Sequence, residues 1–195
     1  MINNKVTLAG TIATQFLLDH EYYNERFYQF FISVKRTSGT VDNIPVIVSE
    51  RLIDTTKDLT GCYVSIVGEF RSFSLHNKTK TKLLLYVFPL KIELIDELQD
   101  INNIFITGVI RKTPVLRETP YGRIISDILL TVNREYNKCD YIPCIAWGRN
   151  AVAMSGVDIG TKVRLTGRIQ SRDYDKNGTT LTAYEVSSII IELVD

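Results

Sequence analysis

Hydrophobic and polar residues alternate along most of this chain, and the alternation has a period of two. Val6, Leu8 and Ile12 set the pattern near the start, and Ile104, Ile106 and Ile110 repeat it halfway along. That spacing belongs to half-buried strands. The stretches from Phe27 to Lys35 and from Ile124 to Asn133 are β-branched and aromatic-rich, which predicts second strands. Loops carrying His20-Glu21-Tyr22-Tyr23-Asn24 and Thr119-Pro120-Tyr121-Gly122 precede them. Third strands are expected from Asn43 to Ser49 and from Asp140 to Trp147. A short helix follows each, around Glu50 to Asp58 and Arg149 to Ser155. Fourth strands (Cys62 to Arg71, Thr161 to Arg172) and fifth strands (Lys82 to Leu94, Thr179 to Leu193) complete the series.

The elements come in two sets because the chain is one module written twice. Asn4-Lys5-Val6-Thr7-Leu8-Ala9-Gly10 returns as Asn102-Asn103-Ile104-Phe105-Ile106-Thr107-Gly108, a shift of 98 that also takes Ile44-Pro45 to Ile142-Pro143. After a one-residue insertion the shift is 99, taking Gly61 to Gly160, Gly68 to Gly167 and Glu93-Leu94 to Glu192-Leu193. A constant offset of this kind is the mark of an internal repeat. The reading is a domain over residues 1–94, a polar linker over 95–101 and a second domain over 102–195. Five strands with one short helix between the third and fourth is the order of an OB-fold barrel. The predicted class is therefore all-β, as two tandem OB-fold five-stranded barrels, with a small sandwich as the competing architecture. Gly10 and Gly108 lie inside first strands, where glycine marks a bulge or tight barrel bend.

Composition narrows the function classes. With 45% hydrophobic and 23% charged residues in 195, the chain is globular rather than disordered. The net charge of +1 announces no nucleic-acid partner, although binding depends on where charge sits. No apolar run approaches a membrane span, so no membrane association is expected. The start lacks a signal-peptide pattern, and three cysteines are an odd set; a reducing cytoplasm is the expected compartment. Two histidines and no metal or phosphate-cradling motif argue against an enzyme, a metal site or a cofactor.

The chemistry gathers in the second copy. Tyr136, Tyr141, Trp147 and Tyr174 stand among Arg134, Arg149, Arg168 and Arg172. Tyr141 and Trp147 are six apart, so a regular strand turns both to one side. Exposed aromatics among arginines suit single-stranded nucleic acid, because bases stack on rings while guanidinium groups meet phosphates. A single aromatic in a small barrel is more often core than binding surface. Packing of Trp147 under the short helix is the competing reading, and spacing alone leaves both open.

The segment Asp140-Tyr141-Ile142-Pro143-Cys144-Ile145-Ala146-Trp147-Gly148-Arg149-Asn150-Ala151 resembles the third strand and helix start of bacterial single-stranded DNA-binding proteins. So do Gly167-Arg168-Ile169-Gln170-Ser171-Arg172-Asp173-Tyr174 and the opening Asn102 to Gly108. The resemblance covers the whole second copy. It implies base stacking at Tyr136, Tyr141, Trp147 and Tyr174, and phosphate contacts at Arg149 and Arg172. Arg117 and Arg134 join them from their loop placement. It also implies a sequence-tolerant single-stranded DNA binder in replication, recombination or repair, paired as a homodimer that presents four barrels. Members of that family usually end in an acidic recruitment tail. This chain ends Ile191-Glu192-Leu193-Val194-Asp195, so tail-based recruitment is not expected.

Under the repeat offsets the four aromatics correspond to Ser38, Asn43, Ser49 and Leu75. The first copy therefore reads as mainly an assembly partner. Lys35, Arg36, Arg71, Phe73 and the run Lys78-Thr79-Lys80-Thr81-Lys82 leave electrostatic contact open. A single-stranded RNA binder and a protein-interaction module are the competing functions, since stacking does not see the 2′-hydroxyl and exposed aromatics also anchor protein interfaces.

Overall fold

The structure, a computed structural model, describes residues 3–76, 81–176 and 178–194. Among the described residues, twelve strands and one helix form. They are β1 (Asn4–Ile12), β2 (Leu17–Tyr22), β3 (Glu25–Lys35), β4 (Val41–Ser49), β5 (Tyr63–His76) and β6 (Thr81–Ile95), then β7 (Ile101–Ile110), β8 (Val115–Glu118), β9 (Ile124–Asn133), β10 (Cys139–Trp147), α1 (Arg149–Met154), β11 (Lys162–Lys176) and β12 (Thr179–Leu193). The chain divides into two compact units. The amino-terminal barrel comprises Lys5–Arg71 and Leu84–Asn103; the carboxy-terminal one comprises Met1–Asn4, Ser72–Leu83 and Ile104–Asp195. Compactness thus assigns residues 72–83 and the first four residues differently from the repeat boundary.

In the amino-terminal barrel the strand order is β2-β3-β4-β6-β5-β1, and β3 returns to pair with β1. That closing pair is Thr11↔Ser33 and Ile12↔Ile32. The β4–β6 contact is parallel, with Val46 opposite Val87. Alternation fills the interior: Leu8, Phe30, Ile32, Ile44, Ile66 and Phe70 are essentially fully buried, each contributing about 1.5–3 kcal/mol by leaving water. Closure brings backbones together at Gly10, where a Cβ would lie 2.3 Å from the Ser33 carbonyl oxygen. The glycine is required by this close approach, as its place in the strand predicts.

The carboxy-terminal barrel repeats the plan, with order β7-β11-β12-β10-β9-β8 and closure between β7 and β9. Val109 and Ile110 meet Thr131 and Leu130 there. The parallel pair is β10–β12, with Cys144 opposite Val186. Ile104, Ile106, Leu130, Ile142, Leu165 and Val186 line its interior. Burial also pushes the Cys144 thiol well above its ordinary pKa, with the Glu185 charge adding to the rise, so this cysteine packs as a small protonated hydrophobe.

Two expectations are corrected. The segments before the second strands are strands in part, since Leu17–Tyr22 pairs with β3 and Val115–Glu118 pairs with β9. Each barrel therefore has a sixth strand in a hairpin. The short helix forms only in the second copy. Around Glu50 to Asp58 the chain makes turns, because aspartates capture the backbone locally. Asp54 Oδ1 accepts from the Thr56 N–H at 3.1 Å, and Asp58 Oδ1 from the Thr60 N–H at 3.0 Å. Such short-range bonds compete with helix formation. The corresponding Arg149–Met154 segment carries no aspartate and buries Ala151 and Met154.

Candidate nucleic-acid interface

The outer face of the carboxy-terminal barrel is set by strand parity. Ile142, Cys144 and Ala146 of β10 point inward, while Tyr141, Pro143 and Trp147 are half-buried between them. Register extends the face onto β9, where Thr131 lies opposite Tyr141, Asp127 opposite Ile145 and Ile125 opposite Trp147. On the other side Ile145 meets Ser187 of β12, and Ser187 meets Arg168 of β11. Gln170, Arg172 and Tyr174 continue along β11 at two-residue spacing.

Each expected residue has a defined setting. Trp147 is half-buried, and its Nε1–H donates to Ser187 Oγ at 3.0 Å, which ties the indole across the β10–β12 junction. Tyr141 lies on the same strand about 20 Å away, at about 3.3 Å per residue. Tyr136 sits in the β9–β10 connection, 90% exposed, in the left-handed region with φ 58°, followed by Asn137 at φ 55°. Tyr174 is 38% exposed, and the Arg172 guanidinium carbon lies 5.9 Å from its ring centroid, at the edge of cation–π range.

The arginines divide. Arg149 is exposed at the start of α1. Arg117 is held by Asp127 through two hydrogen bonds from its guanidinium, the second 3.0 Å long. The Asp127 bond raises the Arg117 pKa, burial opposes the rise, and the Asp127 and Glu185 charges add to it. Arg172 lies 3.7 Å from Glu185 Oε1, which also accepts from Gln170 at 2.8 Å. Arg134 pairs at 3.3 Å with Asp140, which is fully buried. Asp140 Oδ1 accepts the Ser72 N–H at 2.7 Å, and Ser72 Oγ accepts the Tyr141 N–H at 2.8 Å. The same pair exists in the other copy, where Arg36 grips the buried Asp42 at 2.6 and 2.5 Å. Arg36 and Asp42 plus 98 are Arg134 and Asp140.

Sequence reading missed the acceptors in this face: Asp127, Glu185 and Ser187. Nothing in their spacing marks them. The Arg–Asp pair did leave a signal, because both members recur at the repeat offset. Of the basic run in the first copy, Lys78, Thr79 and Lys80 lie outside the described residues.

Comparison with known proteins places the second copy in one family. Residues 101–194 match the model of the single-strand binding protein family. A single-stranded DNA-binding protein 3 of Streptococcus agalactiae serotype V is 31% identical over 103 residues, covering 49% of this chain and 75% of the relative. Single-stranded DNA-binding protein 1 of Lactococcus lactis is 28% identical over 103 residues, covering 49% of this chain and 69% of the relative. For an Enterococcus faecalis single-stranded DNA-binding protein, 34% identical over 82 residues, the shares are 38% and 44%. The crystal structure of the wild-type single-stranded DNA binding protein from Thermus aquaticus superposes with a TM-score of 0.81 at 17% identity, covering 98% of this chain and 93% of that one. That likeness extends the shared fold over both copies. The chain belongs to the single-strand binding protein family.

Proposed function

We infer that the protein binds single-stranded DNA with tolerance for sequence, in replication, recombination or repair. The observation that carries this reading is the outer face of the carboxy-terminal barrel, where Trp147 and Tyr141 share one strand face and Arg172 adjoins Tyr174. Rings on a sheet surface accept bases that are free of partners, and stacking contributes about 1–3 kcal/mol per base whatever the base. Duplex DNA keeps its base faces covered, so the surface selects the single strand. The role is non-catalytic binding: no step beyond stacking and phosphate contact is asked of Tyr136, Tyr141, Trp147, Tyr174, Arg117, Arg149 or Arg172, and Arg134 serves chiefly to pair the buried Asp140.

Trp147 is the one tryptophan in the chain, which makes the test direct. Oligo-dT is expected to quench its emission and to saturate at roughly 4–16 nucleotides per engaged barrel. Duplex DNA is expected to leave the emission nearly unchanged, and oligo-rU run in parallel reads the preference between DNA and RNA. Emission indifferent to oligo-dT in a folded sample would remove Trp147 from the site.

We read the working unit as a homodimer presenting four barrels. Light scattering on the same sample is expected to give a mass near twice 22.2 kDa. A monomer that still binds oligo-dT tightly at micromolar concentration would refute that assembly.

A further inference from the structure

The repeat alignment strips the amino-terminal barrel of rings at Ser38, Asn43, Ser49 and Leu75, yet neighbouring positions put rings back on the same face. Ser49 stands where the second copy has Trp147, and the residue paired opposite it is Phe27, where the second copy has Ile125. Phe88 occupies the position of Ser187, the Trp147 partner in the other copy. Phe27 stacks on Phe88 with centroids 6.0 Å apart, and on His20 at 4.8 Å with the planes only 6° from parallel. The Arg71 guanidinium closes the far end, 4.0 Å above the Phe88 ring. The column therefore ends in His20, whose side chain is 49% exposed.

Tyr22 and Tyr23 lie just beyond, 62% and 85% exposed, edge to face with centroids 4.5 Å apart. Tyr23 has φ 49° and Asn24 φ 59°. A bulky side chain is disfavoured in that region, which glycine and asparagine enter readily. The strain gains Tyr23 no burial. Tyr136, the exposed ring of the other barrel, stands in the same Tyr-Asn arrangement at φ 58° and 55°. Strain without burial in return is a reason to look for a ligand.

We propose that Tyr22, Tyr23 and His20, backed by Phe27 and Phe88, form a second base-stacking surface for the same single strand, on the β2–β3 hairpin of the amino-terminal barrel. The inference rests on the reading of the protein as a single-stranded DNA binder. Charge indicates which part of the strand is held. Carboxylates accompany the basic side chains here: Asp19 bonds His20, and Glu21, Glu25 and Glu69 pair with Arg26, Arg51 and Arg71. Ring faces without surplus positive charge suit bases rather than phosphates. Where one strand engages both surfaces the second contact is intramolecular, so modest stacking adds to overall affinity.

The test uses the full chain with Tyr22→Ala and Tyr23→Gly combined. Glycine accepts the left-handed turn, so the melting temperature is expected to stay level or rise, which separates binding loss from misfolding. Two probes are compared, an oligo-dT of about 12 nucleotides, within the reach of one barrel, and one of about 40. The variant is expected to bind the longer oligonucleotide about tenfold or more weakly, by the same factor at low and high salt. Quenching of Trp147 by the shorter one is expected to match the wild type. Wild-type affinity for the longer probe would overturn the proposal and leave these tyrosines to a protein partner. A loss that disappears at high salt would overturn it too, since that is the behaviour of phosphate contacts. Failure of the wild-type protein to bind either oligonucleotide would instead sink the reading of the chain as a whole.

Discussion

Replacing Tyr136 and Trp147 together by alanine is expected to weaken oligo-dT binding by about 2–6 kcal/mol, at least about thirtyfold in affinity. The two rings differ in what else they do. Tyr136 is 90% exposed on a turn, and its removal costs the fold nothing by way of packing. Trp147 is half-buried and bonds Ser187, so its loss also removes contacts within the barrel. The single substitutions therefore separate: Tyr136→Ala should lower affinity at constant stability, and Trp147→Ala should lower both. Trp147→Phe keeps a ring without the hydrogen bond and should recover part of the affinity. Because the double variant has no tryptophan, binding is read from the anisotropy of a labelled oligonucleotide, with circular dichroism confirming the fold. Near-wild-type affinity of the folded double variant would take this face off the DNA path.

The strands were legible because period two is a consequence of burying one face of a sheet, and both barrels bury theirs. The repeat carried the architecture, and Gly10 marked a bulge or tight bend where the structure shows that a Cβ would strike the Ser33 carbonyl. The helix after β4 was misread because helix and turn differ there by side-chain capture. Asp54 and Asp58 each bond a backbone N–H two residues on, and a repeat alignment does not register that chemistry. β2 was hidden for a related reason: all six of its residues are exposed, so no hydrophobic alternation marks it, and its pairing with β3 rests on backbone bonds and the left-handed Tyr23-Asn24 turn. The same limit hid the aromatic column. Alignment asks whether a ring survives at a position, whereas a sheet face is indifferent to which strand supplies it. Phe27 and Phe88 reach across the site of a missing tryptophan from the two neighbouring strands.

Arg134 and Arg149 look alike in the sequence, and their substitution is expected to fail in opposite ways. Arg134→Ala removes an ion-pair partner of the fully buried Asp140. Breaking a buried pair from one side costs about 3–5 kcal/mol. The lower figure is expected, because Asp140 keeps the Ser72 N–H and the Arg134 side chain is 27% exposed. Arg134→Ala together with Asp140→Asn should recover part of that stability by removing the buried charge. Arg149→Ala should leave the urea midpoint unchanged, since its side chain is exposed at the start of α1. It should shrink the dependence of log K on log salt by about 0.7, the increment for one phosphate on a single strand. Arg117 and Arg172 fall between the two. Asp127 and Glu185 already neutralise them in the free protein, so a phosphate replaces a carboxylate rather than a counterion shell, and each should contribute less than a full increment. An Arg134→Ala variant of normal stability with a shallower salt slope would put that guanidinium on the phosphate path, and would make its pairing with Asp140 incidental.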